Sequence, residues 1–265
     1  MANFTFPTVA ELVAKGETPD LLFWVGCAGS FDERSQKTTR AICQILTHVN
    51  IKFAVLGTEE SCTGDPAKRA GNEFLFQMQA LTNIDILNNY QIKKIVTACP
   101  HCFNTLKNEY PELGGIYEVI HHTQLIQELI DSGKITLKDG GHFKGKRITY
   151  HDPCYLGRAN NVYEAPRHIL EQLDGELVEM KRCKQNGLCC GAGGAQMFKE
   201  PEQGTKDINM ERTSDALDTK PDIIAVGCPF CMTMLRDGVK LNHQEQSVEV
   251  LDIAELTLNA AGITH

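Results

Sequence analysis

A chain of 265 residues, 42% hydrophobic and 23% charged, holds enough apolar material for two small domains or one large one. Its net charge of −8 argues against nucleic acid, whose phosphates call for clustered Lys and Arg. No apolar run approaches the roughly 20 residues of a membrane span, and Met1-Ala2-Asn3-Phe4-Thr5-Phe6-Pro7 lacks the basic and apolar blocks of a secretory signal, so a cytoplasmic chain without direct membrane insertion is expected.

In chain order, Leu21 to Val25 is the first predicted strand, ending at a Gly26-Cys27 turn. A helix is predicted from Asp32 to Val49, with Ile42, Ile45, Leu46 and Val49 at helical spacing and Asp32 as its cap. Lys52 to Leu56 is the second strand, closed by Gly57. Asp65-Pro66 opens another helical region, with proline in the first turn, where its missing N–H costs little. Lys94 to Thr97 is the third strand, stopped by Cys99-Pro100, and Tyr117 to Ile120 the fourth. The stretch from Gly133 to Lys146, with Gly140, Gly141 and Gly145, reads as a linker.

The order then repeats: strand Arg147 to Tyr150, helix Glu164 to Leu173, strand Leu177 to Met180, helix Gln203 to Leu217, strand Ile223 to Val226, helix Pro229 to Val239. Strands alternating with helices imply parallel sheets with crossover helices. The expected fold is therefore α/β, with two pseudo-symmetric lobes at residues 20–138 and 147–260. Each lobe is expected to be a small, mostly parallel sheet with crossover helices and a cysteine site at the strand C-terminal edge.

Eleven cysteines are an odd number, and a disulfide framework suits a cytoplasmic chain poorly. Nine of them fall in a repeat. Cys99-Pro100-His101-Cys102, preceded by Val96-Thr97-Ala98, answers Cys228-Pro229-Phe230-Cys231, preceded by Ala225-Val226-Gly227, at an offset of 129 residues. Cys27 answers Cys154, and Cys62-Thr63-Gly64 answers Cys189-Cys190-Gly191, both at an offset of 127. Glu118-Val119-Ile120 and Glu249-Val250-Leu251 extend the correspondence. A duplication explains the repeat but not why cysteine is the residue type that recurs.

Every one of these cysteines follows a strand. In a parallel sheet those strand ends share one edge, so residues distant in sequence converge there. The expected sets are Cys27, Cys62, Cys99 and Cys102 in the first lobe, and Cys154, Cys189, Cys190, Cys228 and Cys231 in the second. A Cys-x-x-Cys at a helix start gains from the helix dipole, and soft thiolates select zinc, copper(I) or iron–sulfur. Thr63 stands where the second lobe has Cys190.

The pattern Cys154, Cys189-Cys190-Gly191, Cys228-Pro229-Phe230-Cys231, with His151-Asp152-Pro153 ahead and Gly191-Ala192-Gly193-Gly194 behind the paired cysteines, resembles the cysteine-rich CCG domain family. The resemblance runs from about Leu22 to Leu256. The family includes the B-type and D-type catalytic polypeptides of heterodisulfide reductase, and iron–sulfur subunits of glycolate oxidase, anaerobic glycerol-3-phosphate dehydrogenase and lactate-utilisation systems. In the B-type polypeptide each five-cysteine set holds a non-cubane [4Fe–4S] cluster that cleaves a disulfide. By position, the resemblance implies such a cluster at Cys154, Cys189, Cys190, Cys228 and Cys231, with Cys189 and Cys190 the best candidates for the reactive centre. The first lobe departs at Thr63, which implies a plain cubane cluster or zinc at its four thiolates.

The remaining residues read as follows. His101 lies between two ligands, but Phe230 takes its place in the second lobe, so a structural role is expected. His151-Asp152 suits a hydrogen bond to a cluster or a cap equally. His121-His122 is expected to be structural, Cys43 to be core and Cys183 a bystander. The glycines from Gly191 to Gly194 are expected to let main-chain N–H groups approach sulfur, and Glu59-Glu60 to be a solvated turn. Lys93, Lys94 and Lys107 offer charge near the first Cys-x-x-Cys.

Three functions compete. One is an oxidoreductase subunit that transfers electrons and reduces a disulfide or related two-electron substrate at the second-lobe cluster, as in heterodisulfide reductase. Another is a pure electron carrier for a flavin-dependent 2-hydroxy-acid or glycerol-3-phosphate type dehydrogenase. The third is a zinc-stabilised interaction module, for which a fifth cysteine has no use. With no flavin or nicotinamide fingerprint and no ferredoxin run, the electrons are expected from a partner carrying flavin or ferredoxin-type clusters, with a membrane-bound partner also in view.

Overall fold

Leu21–Trp24 is buried at all four positions, as a central parallel strand covered on both faces must be. In a computed structural model that describes residues 6–137, 141–200 and 203–263, it is β1 of a four-stranded parallel sheet. The first half runs α1 (Val9–Ala14), β1, α2 (Gly26–Phe31), α3 (Ser35–His48), β2 (Phe53–Ala54), α4 (Asp65–Arg69), α5 (Glu73–Asn89), β3 (Lys94–Thr97), α6 (Pro100–Asn104), β4 (Glu118–His121) and α7 (His122–Asp131). The second half runs β5 (Arg147–Tyr150), α8 (Glu164–Glu171), β6 (Glu176–Leu177), α9 (Ile208–Leu217), β7 (Ile223–Val226), α10 (Pro229–Leu241), β8 (Glu249–Asp252) and α11 (Ile253–Ala260). The sheet orders β2-β1-β3-β4 and β6-β5-β7-β8 are the same topology, parallel throughout. The α/β fold with two parallel sheets is as expected. Residues 138–140 of the expected linker, Gly140 among them, lie outside the described residues.

Strand side chains alternate between two cores, as the two-residue period requires. Leu21 and Phe23 of β1, and Ile223 and Ala225 of β7, face one shared core built from α3, α7, α8 and α11. Leu22 and Trp24 face the other way, onto α5. Ile224 and Val226 face α9 and α10. The two sheets are thus joined through a common layer of helices rather than merely set side by side. Arg34 pairs with Glu255 at 2.7 Å, and His122 Nε2 lies 3.0 Å from Asp252 Oδ1, both across the two halves.

Several element bounds differ from those expected. A separate helix, α2, precedes α3, which begins at Ser35; Asp32 still accepts the Ser35 N–H at 2.7 Å. The second strands shrink to two residues each, Phe53–Ala54 and Glu176–Leu177, at one edge of their sheets. The helix expected from Gln203 begins at Ile208, after Gly204 and Asp207.

Candidate metal centres

Each sheet presents its cysteines where its strands end. In the first half Cys27 lies in the first turn of α2, just after β1. Cys62 lies in the loop after β2, and Cys99 caps α6, which carries Cys102. Glu60 fixes this arrangement: its carboxylate accepts the Val25 and Gly26 N–H groups at 3.0 and 2.6 Å. The expected solvated turn at Glu59-Glu60 is therefore corrected for Glu60, which spans from the Cys62 loop to the Cys27 loop. Burial pushes its carboxyl up to about 7 against those two N–H bonds. Glu59 does face solvent and accepts the Tyr90 hydroxyl at 2.8 Å.

The second half repeats the scheme with one more sulfur. Cys154 Sγ is 4.0 Å from Cys189 Sγ, and Cys231 Sγ is 3.4 Å from Cys190 Sγ. Cys190, Cys228 and Cys231 are buried together, with half-buried Cys189 packed on them. Main-chain donors match between the halves: Gly191 N lies 3.3 Å from Cys189 Sγ, and Gly64 N lies 3.5 Å from Cys62 Sγ. Both glycines have φ near +90°, a conformation that aims the N–H back at the sulfur and excludes most side chains. Thr63 is buried where Cys190 stands, and its hydroxyl lies 3.8 Å from Cys102 Sγ. In one half Cys99, Cys27 and Cys62 all act on the Cys102 thiol, and in the other Cys189, Cys190 and Cys228 act on the Cys154 thiol.

The thiols perturb one another strongly. Hydrogen bonds from Cys154 and Cys190 pull Cys189 down, and sharing with Cys189 pushes Cys154 and Cys190 up. Cys231 is raised by Cys190 and Cys228. In the first half Cys62 pulls Cys27 down, while Cys62 and Cys102 are raised. Thiols this close cannot all ionise unless a cation lies between them, so the donor sets fit a thiolate-bound metal or iron–sulfur group. Cys43, by contrast, is isolated and fully buried in α3, where burial alone pushes its thiol up. Cys183 is half-buried, and its thiol is also raised.

His151, three residues before Cys154, is fully buried, and one of its ring nitrogens lies within 4.8 Å of both the Cys190 and Cys231 sulfurs. Its Nδ1 accepts from Arg212 Nε at 2.8 Å. Asp152 takes a different part: it binds Arg167 bidentately at 2.7 and 2.9 Å and accepts the Lys184 N–H at 2.7 Å. It therefore braces the Cys183 to Cys189 loop rather than touching sulfur.

His101 bridges the two sites. Its Nδ1 lies 2.9 Å from Asp65 Oδ2, while its ring stacks on Tyr155 at 4.1 Å and meets Phe230 edge-on at 5.5 Å. Burial alone would lower it, but the Asp65 bond and the nearby Cys99 and Cys228 sulfurs push it up to about 9. The structural role expected of His101 is thus specifically one of joining the halves. Its stacking partner Tyr155 carries no local signal that could have singled it out. His121 caps α7, as Asp252 caps α11. Lys94 pairs with Glu118 and Lys107 lies over the Phe103 ring, so these two lysines are engaged away from sulfur. Beside Gly191 a cleft of about 730 Å³ is lined by Met197, Ile208, Asn209, Thr233 and Met234. Arg212, one of the largest fully buried side chains, is likewise illegible in sequence, since nothing in its helix marks an arginine as internal.

Known proteins are similar to this chain in sequence. The chain is 47% identical over 251 residues to the probable iron–sulfur-binding oxidoreductase FadF of Bacillus subtilis, covering 94% of this chain and 35% of that protein. It is 43% identical over 251 residues to the EtfAB:quinone oxidoreductase of Syntrophomonas wolfei, covering 92% and 35%. With a subunit of the dihydromethanophenazine:CoB–CoM heterodisulfide reductase of Methanosarcina barkeri it shares 36% over 252 residues, covering 92% and 60%. The chain therefore spans about a third of the length of the first two relatives. Among the described residues no helix is long and apolar enough to cross a membrane. The cysteine-rich domain matches twice, at residues 21–107 and 148–236, each match ending just after its Cys-x-x-Cys pair. The chain belongs to the cysteine-rich CCG domain family.

Proposed function

We propose that the chain is the iron–sulfur electron-transfer part of an oxidoreductase, built as two units at residues 20–138 and 147–260. Cys154, Cys189, Cys190, Cys228 and Cys231 would hold a [4Fe–4S] cluster, of non-cubane type because they are five. Cys27, Cys62, Cys99 and Cys102 would hold a second [4Fe–4S] cluster or zinc. Such a cluster, when bound, supplies one-electron storage and an iron at which a two-electron substrate such as a disulfide is reduced.

The observation that carries this reading is the asymmetry between the halves. Thr63 leaves the first half a closed four-sulfur set, while Cys190 adds a fifth buried sulfur beside Cys231. The chain's own residues then divide the work. Gly191 N–H and the buried sulfurs shape the second site, and Met197 and Met234, which pack on those cysteines, also line the neighbouring cleft where a substrate or acceptor would approach. The relatives named as an EtfAB:quinone oxidoreductase and as a heterodisulfide reductase subunit support a partner subunit and a quinone or a disulfide as acceptor; the partner would carry flavin or ferredoxin-type clusters.

The test is to purify the protein without oxygen, count iron, sulfide and zinc, and record EPR spectra beside Cys190→Ser. About eight irons per chain support two clusters, and about four with one zinc support the split assignment. Iron-free protein refutes the redox reading. An unchanged spectrum in Cys190→Ser refutes the five-cysteine cluster.

A further inference from the structure

His151 has two ring nitrogens, and each is held to a fixed role. The Arg212 guanidinium carries only donors, so at 2.8 Å His151 Nδ1 must be the acceptor, and the ring's one proton is on Nε2. Arg212 has no freedom to turn away: its Nη1 donates to Arg182 O at 2.6 Å and lies 3.3 Å from Asp215 Oδ2, and the whole side chain is buried. Nε2 is buried as well and has no hydrogen-bond partner among the described residues. An N–H left without an acceptor in a dry interior is unfavourable, so something at this place is expected to accept it. The Cys190 and Cys231 sulfurs lie within 4.8 Å of one of the His151 ring nitrogens.

The other half makes the same arrangement with different chemistry. The residue 127 positions before His151 is Trp24, the last residue of β1, three residues before Cys27 as His151 is three before Cys154. Its indole Nε1 is also buried and, among the described residues, without a partner, in a core shared with Cys99 and Cys102. Indole nitrogen donates and never ligates a metal in this form. What the two halves have in common at this place is therefore a ring N–H, not a metal-binding lone pair.

We propose that His151 is a hydrogen-bond donor to sulfur at the second-half site, held in that tautomer by Arg212, and not a ligand. This rests on the iron–sulfur reading above. An N–H donated to cluster or thiolate sulfur stabilises the more negative, reduced state and so raises the reduction potential. His151 is a positioning and tuning residue in this sense; it moves no electron itself.

The experiment uses the anaerobically purified chain with its iron and sulfide counted. Pulsed EPR of the reduced wild type should show a weakly coupled nitrogen and a proton that exchanges in deuterium oxide. His151→Phe should lose both signals and shift the midpoint potential downward, while His151→Gln, which keeps a donor and an acceptor, should recover most of that shift. A strong nitrogen coupling of the kind made by direct ligation overturns the proposal, as does an unshifted potential in iron-loaded His151→Phe. Should His151→Phe fail to take up iron, the wild-type spectrum decides alone. Iron-free wild type overturns the underlying function as well, whereas loaded wild type with an unshifted variant overturns only the role of His151.

Discussion

Glu60 shows how much a single side chain can settle. Its carboxylate closes the N-terminal turn of α2, where the exposed N–H groups would otherwise lack acceptors, and in doing so fixes the loop that carries Cys27. Glu60→Ala is expected to destabilise the protein by about 1–2 kcal/mol in denaturant unfolding, with Glu60→Gln losing less because one acceptor oxygen remains. The same change should weaken metal retention in the first half and leave the second half alone, read as metal lost to a chelator over time. Two adjacent acids read as a solvated pair because nothing local distinguishes Glu59 from Glu60. Only the approach of Val25 and Gly26, 35 and 34 residues away, separates their fates.

Among the elements, the helices that follow the cysteine pairs differ in what they must approach. In α10 the glycine at Gly238 is buried against α9, and a Cβ there would meet Thr213 Cβ at 2.8 Å and run into its hydroxyl. Gly238→Ala should therefore destabilise by about 1–3 kcal/mol, although alanine favours the helix itself, because the overpacking outweighs the propensity gain. Gly238→Ala combined with Thr213→Ala, which removes the hydroxyl that the new Cβ would run into, should recover part of the loss in thermal unfolding, and a loss that stays whole would place the strain elsewhere. The short edge strands β2 and β6 raise a related point about neighbours. Phe53 and Ala54 of β2, and Glu176 and Leu177 of β6, pair with the central strands for two residues each, while the opposite edge strands β4 and β8 pair for four.

For the whole molecule, the shared core means that neither half keeps its stability to itself. Leu256 of α11 is fully buried in the layer that also receives Phe23, Ile45 and Leu46 of the first half. Leu256→Ala should cost about 2–5 kcal/mol. The chain's single tryptophan, Trp24, reports on the first half. Its fluorescence transition should move with the circular dichroism transition, although the change is in the second half. Halves that unfold independently would leave the Trp24 transition where it is.

Fold class, the repeat and the nine cysteines are all legible in the amino-acid sequence, because each is written in local pattern. Strand and helix periods, turns after strands and a constant spacing survive without knowledge of the third dimension, and β3 and β7 matched their predicted bounds to the residue. Which polar side chains turn inward is legible only once the chain has folded. Glu60, His101, His151, Tyr155 and Arg212 owe their roles to partners 34 or more residues distant in sequence. No period or spacing encodes such a meeting, since a buried ion or imidazole is tolerated only where folding delivers its partner.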